Sequence, residues 1–122
     1  MRCLSREPRL LLEDIEEACG LIARWVGGMT REQFEDHDLH YNACLRQLMV
    51  IGEAVKGLPQ DVRDLASEVR WSNIAGLRDV LAHGYFSLND ATLWLTCIER
   101  VPELHLAVVE LLARDSGTGS TG

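Results

Sequence analysis

The sequence predicts an all-α protein, an up-and-down helical bundle of four to five helices. Three observations carry this. Apolar residues recur at gaps of three and four along most of the 122 residues. No segment alternates polar and apolar over a useful length, so no strand is predicted. The breaks between periodic stretches are short and are built from helix stop and start residues, as in a bundle with short loops.

The elements follow in order. Ser5 is a candidate N-cap with Pro8 in the first turn. Leu11, Ile15, Ala18, Ile22 and Trp25 then mark one face of a helix that Gly27-Gly28 stops. Glu13, Asp14, Glu16 and Glu17 fall mostly off that face and read as solvated surface. Thr30-Arg-Glu-Gln33 has the form of a capping box, in which two side chains satisfy each other's backbone N–H. The pattern breaks briefly near Asp36 to Asp38 and resumes to Gly57, with Pro59 as a stop. This second long helix carries two stripes: Tyr41, Leu45, Leu48, Gly52, Val55, and Cys44, Leu48, Ile51, Val55, Leu58. A face that wide touches more than one neighbour. Gly52 costs about 1 kcal/mol against Ala inside a helix, which points to a close helix–helix or subunit contact there. A short helix is predicted from Asp61 to Glu68, and another from Ser72 as N-cap to about His83, with Gly84 as its C′ residue. The last helix starts between Ser87 and Asp90. Trp94, Ile98, Val101, His105, Val108 and Leu112 form one stripe on it, and Cys97, Val101, Leu104, Val108 and Leu111 a second. Pro102 lies inside this pattern and should kink or split the helix. The division is therefore one domain over residues 1–115, followed by a flexible Gly/Ser/Thr tail over 116–122.

Composition narrows the function classes. An apolar share of 47% and a charged share of 25% suit a globular protein and exclude a disordered or fibrous chain. No apolar run reaches the roughly 18–20 residues of a membrane span, and the N-terminus lacks the pattern of a signal peptide. The net charge of −7 argues against coating nucleic acid by bulk electrostatics. The charge is uneven, however. Residues 1–41 hold nine acids and five bases, residues 86–122 five and two, and the middle, 42–85, five of each. An anionic ligand should prefer that neutral middle. Cys3, Cys19, Cys44 and Cys97 contain no CxxC pair, and read as free thiols in a cytoplasmic protein. Gly-rich phosphate loops, GxSxG and HExxH are all absent. His37 and His40 with Glu35, Asp36 and Asp38 could hold a metal, but the acids equally suit a helix start. His105 reads as a packed or interface histidine.

The chemistry is concentrated between Trp71 and Tyr85. Arg78 and His83 are five residues apart, which on a regular helix is about 7.5 Å of rise and about 140° of rotation. At the end of a helix, His83 can swing toward the long side chain of Arg78. The two offer a permanent cation and a group titrating near neutral pH. Cleavage of RNA by its own 2′-hydroxyl needs such a pair: one group moves the proton and the cation stabilises charge building on phosphorus, with no metal required. The bland alternative pairs Arg78 with a surface acid and leaves His83 as a helix C-terminal residue favoured by the dipole.

The run Arg78-Asp79-Val-Leu-Ala-His83-Gly84-Tyr85 resembles the signature of the HEPN superfamily, and within it the HepT-like group: Arg, a polar residue, three variable residues, His, any residue, Tyr. Two further stretches match, Ile51-Gly52-Glu53-Ala54-Val55-Lys56 and Trp71 through Gly76-Leu77, and the resemblance spans roughly residues 7–113. The polar residue is often Asn in the family and is Asp79 here. The resemblance implies a metal-independent endoribonuclease acting as the toxin of a type VII toxin–antitoxin module. It further implies a homodimer in which two signatures meet in one cleft. Arg78 and His83 would be catalytic, with Asp79 supporting them, and Gly52, Glu53 and Lys56 would be candidates for the dimer interface. The implied partner is an MntA-like nucleotidyltransferase antitoxin that attaches AMP to Tyr85, adding charge and bulk that block RNA. No cofactor is implied. A second reading is a non-catalytic HEPN module that binds a nucleotide or a partner protein.

Overall fold

The structure is a computed structural model; it describes residues 4–36, 38–83 and 90–121, without the side chains of Arg78, residues 80–83, Asp90 and residues 116–121. Among the described residues the regular structure is helical. In chain order the helices are α1 (Arg6–Val26), α2 (Arg31–Asp36), α3 (Asp38–Lys56), α4 (Gln60–Asp64), α5 (Trp71–His83), α6 (Asp90–Leu95) and α7 (Val101–Thr121), with one wide π-type turn, Thr96–Arg100, joining α6 to α7. α3 lies at the centre of the packing, against α1 on one side and α5 on another, while α1 also packs along α7.

The local reasons match the sequence closely at several points. Ser5 occupies the N-cap position of α1 in extended conformation, although its side chain makes no capping bond. Gly27 closes α1 and Gly28 turns the chain at φ 82°, a left-handed conformation that suits a residue without Cβ. The capping box is formed reciprocally: the Gln33 N–H donates to Thr30 Oγ1 at 3.1 Å, and the Thr30 N–H donates to Gln33 Oε1 at 2.9 Å. α2 ends at Asp36 and α3 begins at Asp38; the break expected there centres on His37, which lies outside the described residues.

Three expectations need correction. The core face of α1 is Leu12, Ile15, Ala18, Cys19, Ile22 and Val26, with Leu11 and Trp25 only half-buried. The face is rotated because α3 and α7 cover α1 from two sides rather than along one stripe. α5 begins at Trp71 rather than after a Ser72 cap. Trp71 fixes that start: it is buried, and its indole N–H is shared between the carbonyls of Arg63 and Ala66, each at 3.0 Å. The short helix ends earlier than expected, at Asp64, and gives way to turns.

Pro102 does disturb the last helix, and the form of the disturbance is specific. Proline has no N–H for the carbonyl four residues back, and its ring crowds that carbonyl. The helix widens for one turn just before it, and the Val101 N–H reaches back five residues to the Thr96 carbonyl. The stripe Cys97, Val101, Leu104, Val108, Leu111 is buried as read from the sequence, whereas Ile98 of the other stripe faces out.

Phe34 is the largest fully buried side chain and sits between Tyr41 and Trp94, with ring centroids 5.4 and 5.2 Å away. Such tilted pairs add about 0.5–1.5 kcal/mol each beyond area burial. Cys19, Cys44 and Cys97 are buried free thiols. Burial, helped by the nearby Glu16 charge, pushes the Cys19 thiol up to about 12. The Cys97 thiol is raised by its hydrogen bond to Cys44 and by burial, while the same bond holds Cys44 below the usual thiol range. The chain ends are tied together: Asp115 accepts the Leu4 N–H at 2.7 Å and pairs with the Arg9 guanidinium. Among the described residues no helix is long and apolar enough to cross a membrane.

Candidate functional site

Arg78 and His83 both lie on α5, Arg78 in its middle and His83 as the last residue of the helix. The helix is continuous between them, so their backbones keep the regular separation of about 7.5 Å along the axis and about 140° around it. His83 is the last residue of α5 that the structure describes. The side chains of both residues, and Gly84 and Tyr85 altogether, lie outside the described residues.

Asp79 is described. It is exposed, and its Oδ1 accepts from Lys56 Nζ at 3.1 Å. Lys56 is the only lysine of the chain and ends α3, so this pair joins the C-terminus of α3 to the middle of α5. Both side chains are open to solvent, so the pair is worth about 0–1 kcal/mol to stability. Its electrostatic effect is more telling. The acid is faced by a cation, so this part of the α5 surface carries little net charge.

The remaining residues read as candidates fall into different places. Gly52 is buried on α3, the helix that packs against both α1 and α5, and Glu53 beside it is exposed. Gly52 and Lys56 are therefore one turn apart, near the level at which α3 reaches Asp79. His40 is half-buried at the start of α3, and His37 lies outside the described residues. No group of three or more metal-binding side chains comes together among the described residues.

Sequence reasoning missed a groove of 460 Å³ beside the first half of α5. Asn73, Ile74 and Leu77 of α5 line one wall, with Arg70 before them, and Thr96, Arg100 and Leu104 line the other. Arg70 and Arg100 bring two cations to its rim, although Glu68 and Glu103 stand close by. The α5 side of the groove was legible as the spacing 70, 73, 74, 77; the opposite wall depends on how α7 lies against the bundle.

The model of the family described as "Ribonuclease HepT-like" matches residues 15–111, a stretch containing all of α5 and the Arg78 to Tyr85 signature. The chain belongs to the HepT-like ribonuclease family. Among its relatives, "Putative RNase TTE0752" of Caldanaerobacter subterraneus subsp. tengcongensis is 39% identical over 90% of this chain and 98% of its own length. "Probable ribonuclease HepT" of Thermococcus cleftensis is 37% identical over 83% of this chain and 92% of its own length. A Methanocaldococcus jannaschii protein, "Putative RNase MJ0127", is 38% identical over 80% of this chain and 81% of its own. No solved structure matches the chain. Membership in the HepT-like family agrees with the all-helical bundle.

Proposed function

We propose that this protein is a metal-independent endoribonuclease, the toxin of a bacterial toxin–antitoxin module. The observation that carries the reading is that Arg78 and His83 share one helix, α5, in a chain of the HepT-like ribonuclease family. In this reading Arg78 stabilises the charge that builds on the scissile phosphate, and His83 moves the proton of the 2′-hydroxyl or of the leaving oxygen. Asp79 holds the charge balance through Lys56 rather than touching RNA.

A homodimer fits the geometry of α5. Among the described residues its extensive packing is against α3. On one helix Arg78 and His83 diverge by about 140°, so two copies of α5 brought together would surround a phosphate better than one. Gly52, Glu53 and Lys56, on the neighbouring helix, would border that contact. A net charge of −7 keeps affinity for long RNA low, so recognition is local. An MntA-like nucleotidyltransferase would silence the site by joining AMP to Tyr85, two residues beyond His83, placing an anionic group where RNA must lie. These events belong in the cytoplasm, where RNA and a nucleotide donor meet.

The test is RNA cleavage with chelator present, by the wild type and by Arg78→Ala and His83→Ala. Both variants should lose at least a hundredfold in rate, as loss of a proton-transfer group or an oxyanion-stabilising donor typically costs. Cleavage by either variant at the wild-type rate would overturn the assignment. Intact mass after incubation with an MntA-like nucleotidyltransferase and ATP should rise by one adenylyl group, with pyrophosphate released, and Tyr85→Phe should abolish the rise. A stable complex with that partner and no cleavage of any RNA would favour the non-catalytic module instead.

A further inference from the structure

We propose that the groove beside the first half of α5 is a subsite for one unpaired nucleotide of an RNA strand, its base on the apolar floor and its phosphodiester held between Arg70 and Arg100. The inference rests on the nuclease reading for where the strand is cut, but not for binding in the groove. Ile74 and Leu77 of α5 face Leu104 of α7 across it, and Arg100 comes from the wide turn. Its 460 Å³ falls within the range of about 300–1,000 Å³ usual for small-ligand sites, which likewise combine an apolar lining with a few polar groups. Arg70 is exposed and forms no ion pair among the described residues. Arg100 lies 3.8 Å from Glu103, and both side chains are largely exposed, so that pair is weak and leaves the guanidinium able to turn to another anion.

Charge and shape select the occupant. Glu68 and Glu103 stand beside the two arginines, so the lining is neutral overall. A free nucleoside triphosphate, with several negative charges, would be repelled by the carboxylates as well as drawn by the cations. A phosphodiester inside a strand carries a single charge, which one guanidinium from each wall offsets. Duplex RNA keeps its bases stacked and paired, and would leave the apolar floor uncovered. An unpaired base lays its apolar face on that floor. Its polar edge then meets Asn73, whose exposed amide offers a donor and an acceptor side by side.

The groove is also in line with the catalytic helix. The Arg70 carbonyl accepts the Ile74 N–H at 3.2 Å, so Arg70 stands at the head of the helical path of α5. Arg70, Ile74 and Arg78 therefore fall on one i, i+4 row of the helix. The rise from Arg70 to Arg78 is about 12 Å, the length of about two to four nucleotides of a single strand. A strand cut beside Arg78 reaches the groove with a nearby nucleotide. The groove thus supplies a local grip that a chain of net charge −7 lacks over its surface as a whole.

Binding without cleavage tests this on the full chain. Short single-stranded RNA with every 2′-hydroxyl methylated has no free 2′-oxygen to attack its phosphate, and its affinity is read by fluorescence anisotropy at low salt with chelator present. Arg70→Gln and Arg100→Gln should each weaken binding about fivefold and lower the slope of log affinity against log salt by about 0.7. Ala107→Phe fills the groove without changing charge and should weaken binding as well. Arg24→Gln removes the same charge at an exposed site on α1 outside the groove, and should leave affinity within about twofold. Helicity by circular dichroism should be that of the wild type throughout. Unchanged affinity in Arg70→Gln and Arg100→Gln, or an equal loss in Arg24→Gln, would overturn the proposal. So would an unchanged RNA affinity in groove variants that no longer hold an MntA-like nucleotidyltransferase, which would give the groove to a protein partner. A wild type that binds the methylated strand through the groove yet leaves ordinary RNA intact would overturn the nuclease reading alone.

Discussion

Asp115→Ala should unfold the protein from its ends. Asp115 is 8% exposed near the close of α7, and its two carboxylate oxygens are both engaged: one accepts the Leu4 N–H at 2.7 Å and the other the Arg9 guanidinium. The residues lie 111 and 106 positions apart in sequence, so this one side chain ties the entry of α1 to the last described part of α7. A backbone N–H donating to a charged acceptor contributes about 1.5 kcal/mol. Arg9 is more than one third exposed and also lies 3.5 Å from Glu13, so its share is discounted to about 1 kcal/mol. The sum is about 2–3 kcal/mol, which for a domain of this size lowers Tm by about 8–12 °C. Urea unfolding of the wild type, Arg9→Met, Asp115→Asn and the double variant gives the ion-pair part alone, with a coupling of about 1 kcal/mol. If Asp115→Ala costs less than about 0.5 kcal/mol, the buried carboxylate does not hold the ends together and the reasoning fails.

Three further outcomes follow from the same structure. Trp71→Phe keeps an aromatic side chain but removes the donor shared by the Arg63 and Ala66 carbonyls along with part of the buried ring, and should cost at least about 1–2 kcal/mol in urea unfolding; a neutral result would mean that the shared donor does not set the start of α5. Cys19, with its thiol pushed up to about 12, holds only about one thiolate in ten thousand at pH 8. It should resist iodoacetamide until the chain unfolds, and labelling read by mass spectrometry at the rate of a free thiol would contradict its burial. Asp79→Asn removes one negative charge beside Arg78 and frees Lys56. A unit charge about 8 Å from a phosphate in water is worth about 0.5 kcal/mol, so RNA should bind about twofold tighter at low salt, measured by fluorescence anisotropy; weaker binding would assign Asp79 a direct role.

The parts of the fold carried by local chemistry were legible in the sequence. The Thr30–Gln33 capping box, the stop at Gly27-Gly28 and the buried stripe from Cys97 to Leu111 are determined within a few residues, and each stands as read. The parts set by distant chain were not. Leu12 and Val26 replace Leu11 and Trp25 in the core because α3 and α7 both bear on α1, and periodicity cannot weigh two neighbours at once. Phe34 was passed over because it sits in a six-residue helix, too short to show a period, yet two aromatic rings converge on it. Within the candidate site, Arg78 and His83 were placed on one helix from spacing alone. The Lys56–Asp79 pair links residues 23 apart and became visible only once α3 and α5 were set side by side.

The wide turn before Pro102 bears on how the chain tolerates changes of length. The core residues around it run Leu93, Cys97, Val101, Leu104, Val108, Leu111, with gaps of four, four, three, four and three. Two successive gaps of four carry an α-helix about 80° past its starting face, and the π-type turn absorbs that excess as one surplus residue. Removing one exposed residue here, such as Glu99, would return the rod to a plain α-helix with Leu93 and Leu104 still facing the core. The same deletion elsewhere in α7 would swing every later side chain through about 100°. Pro102 is the cost of that change, because in a plain helix its ring would meet the carbonyl four residues back. Loss of the extra residue and replacement of the proline are thus coupled, and this helix can shorten by one residue only if both occur together.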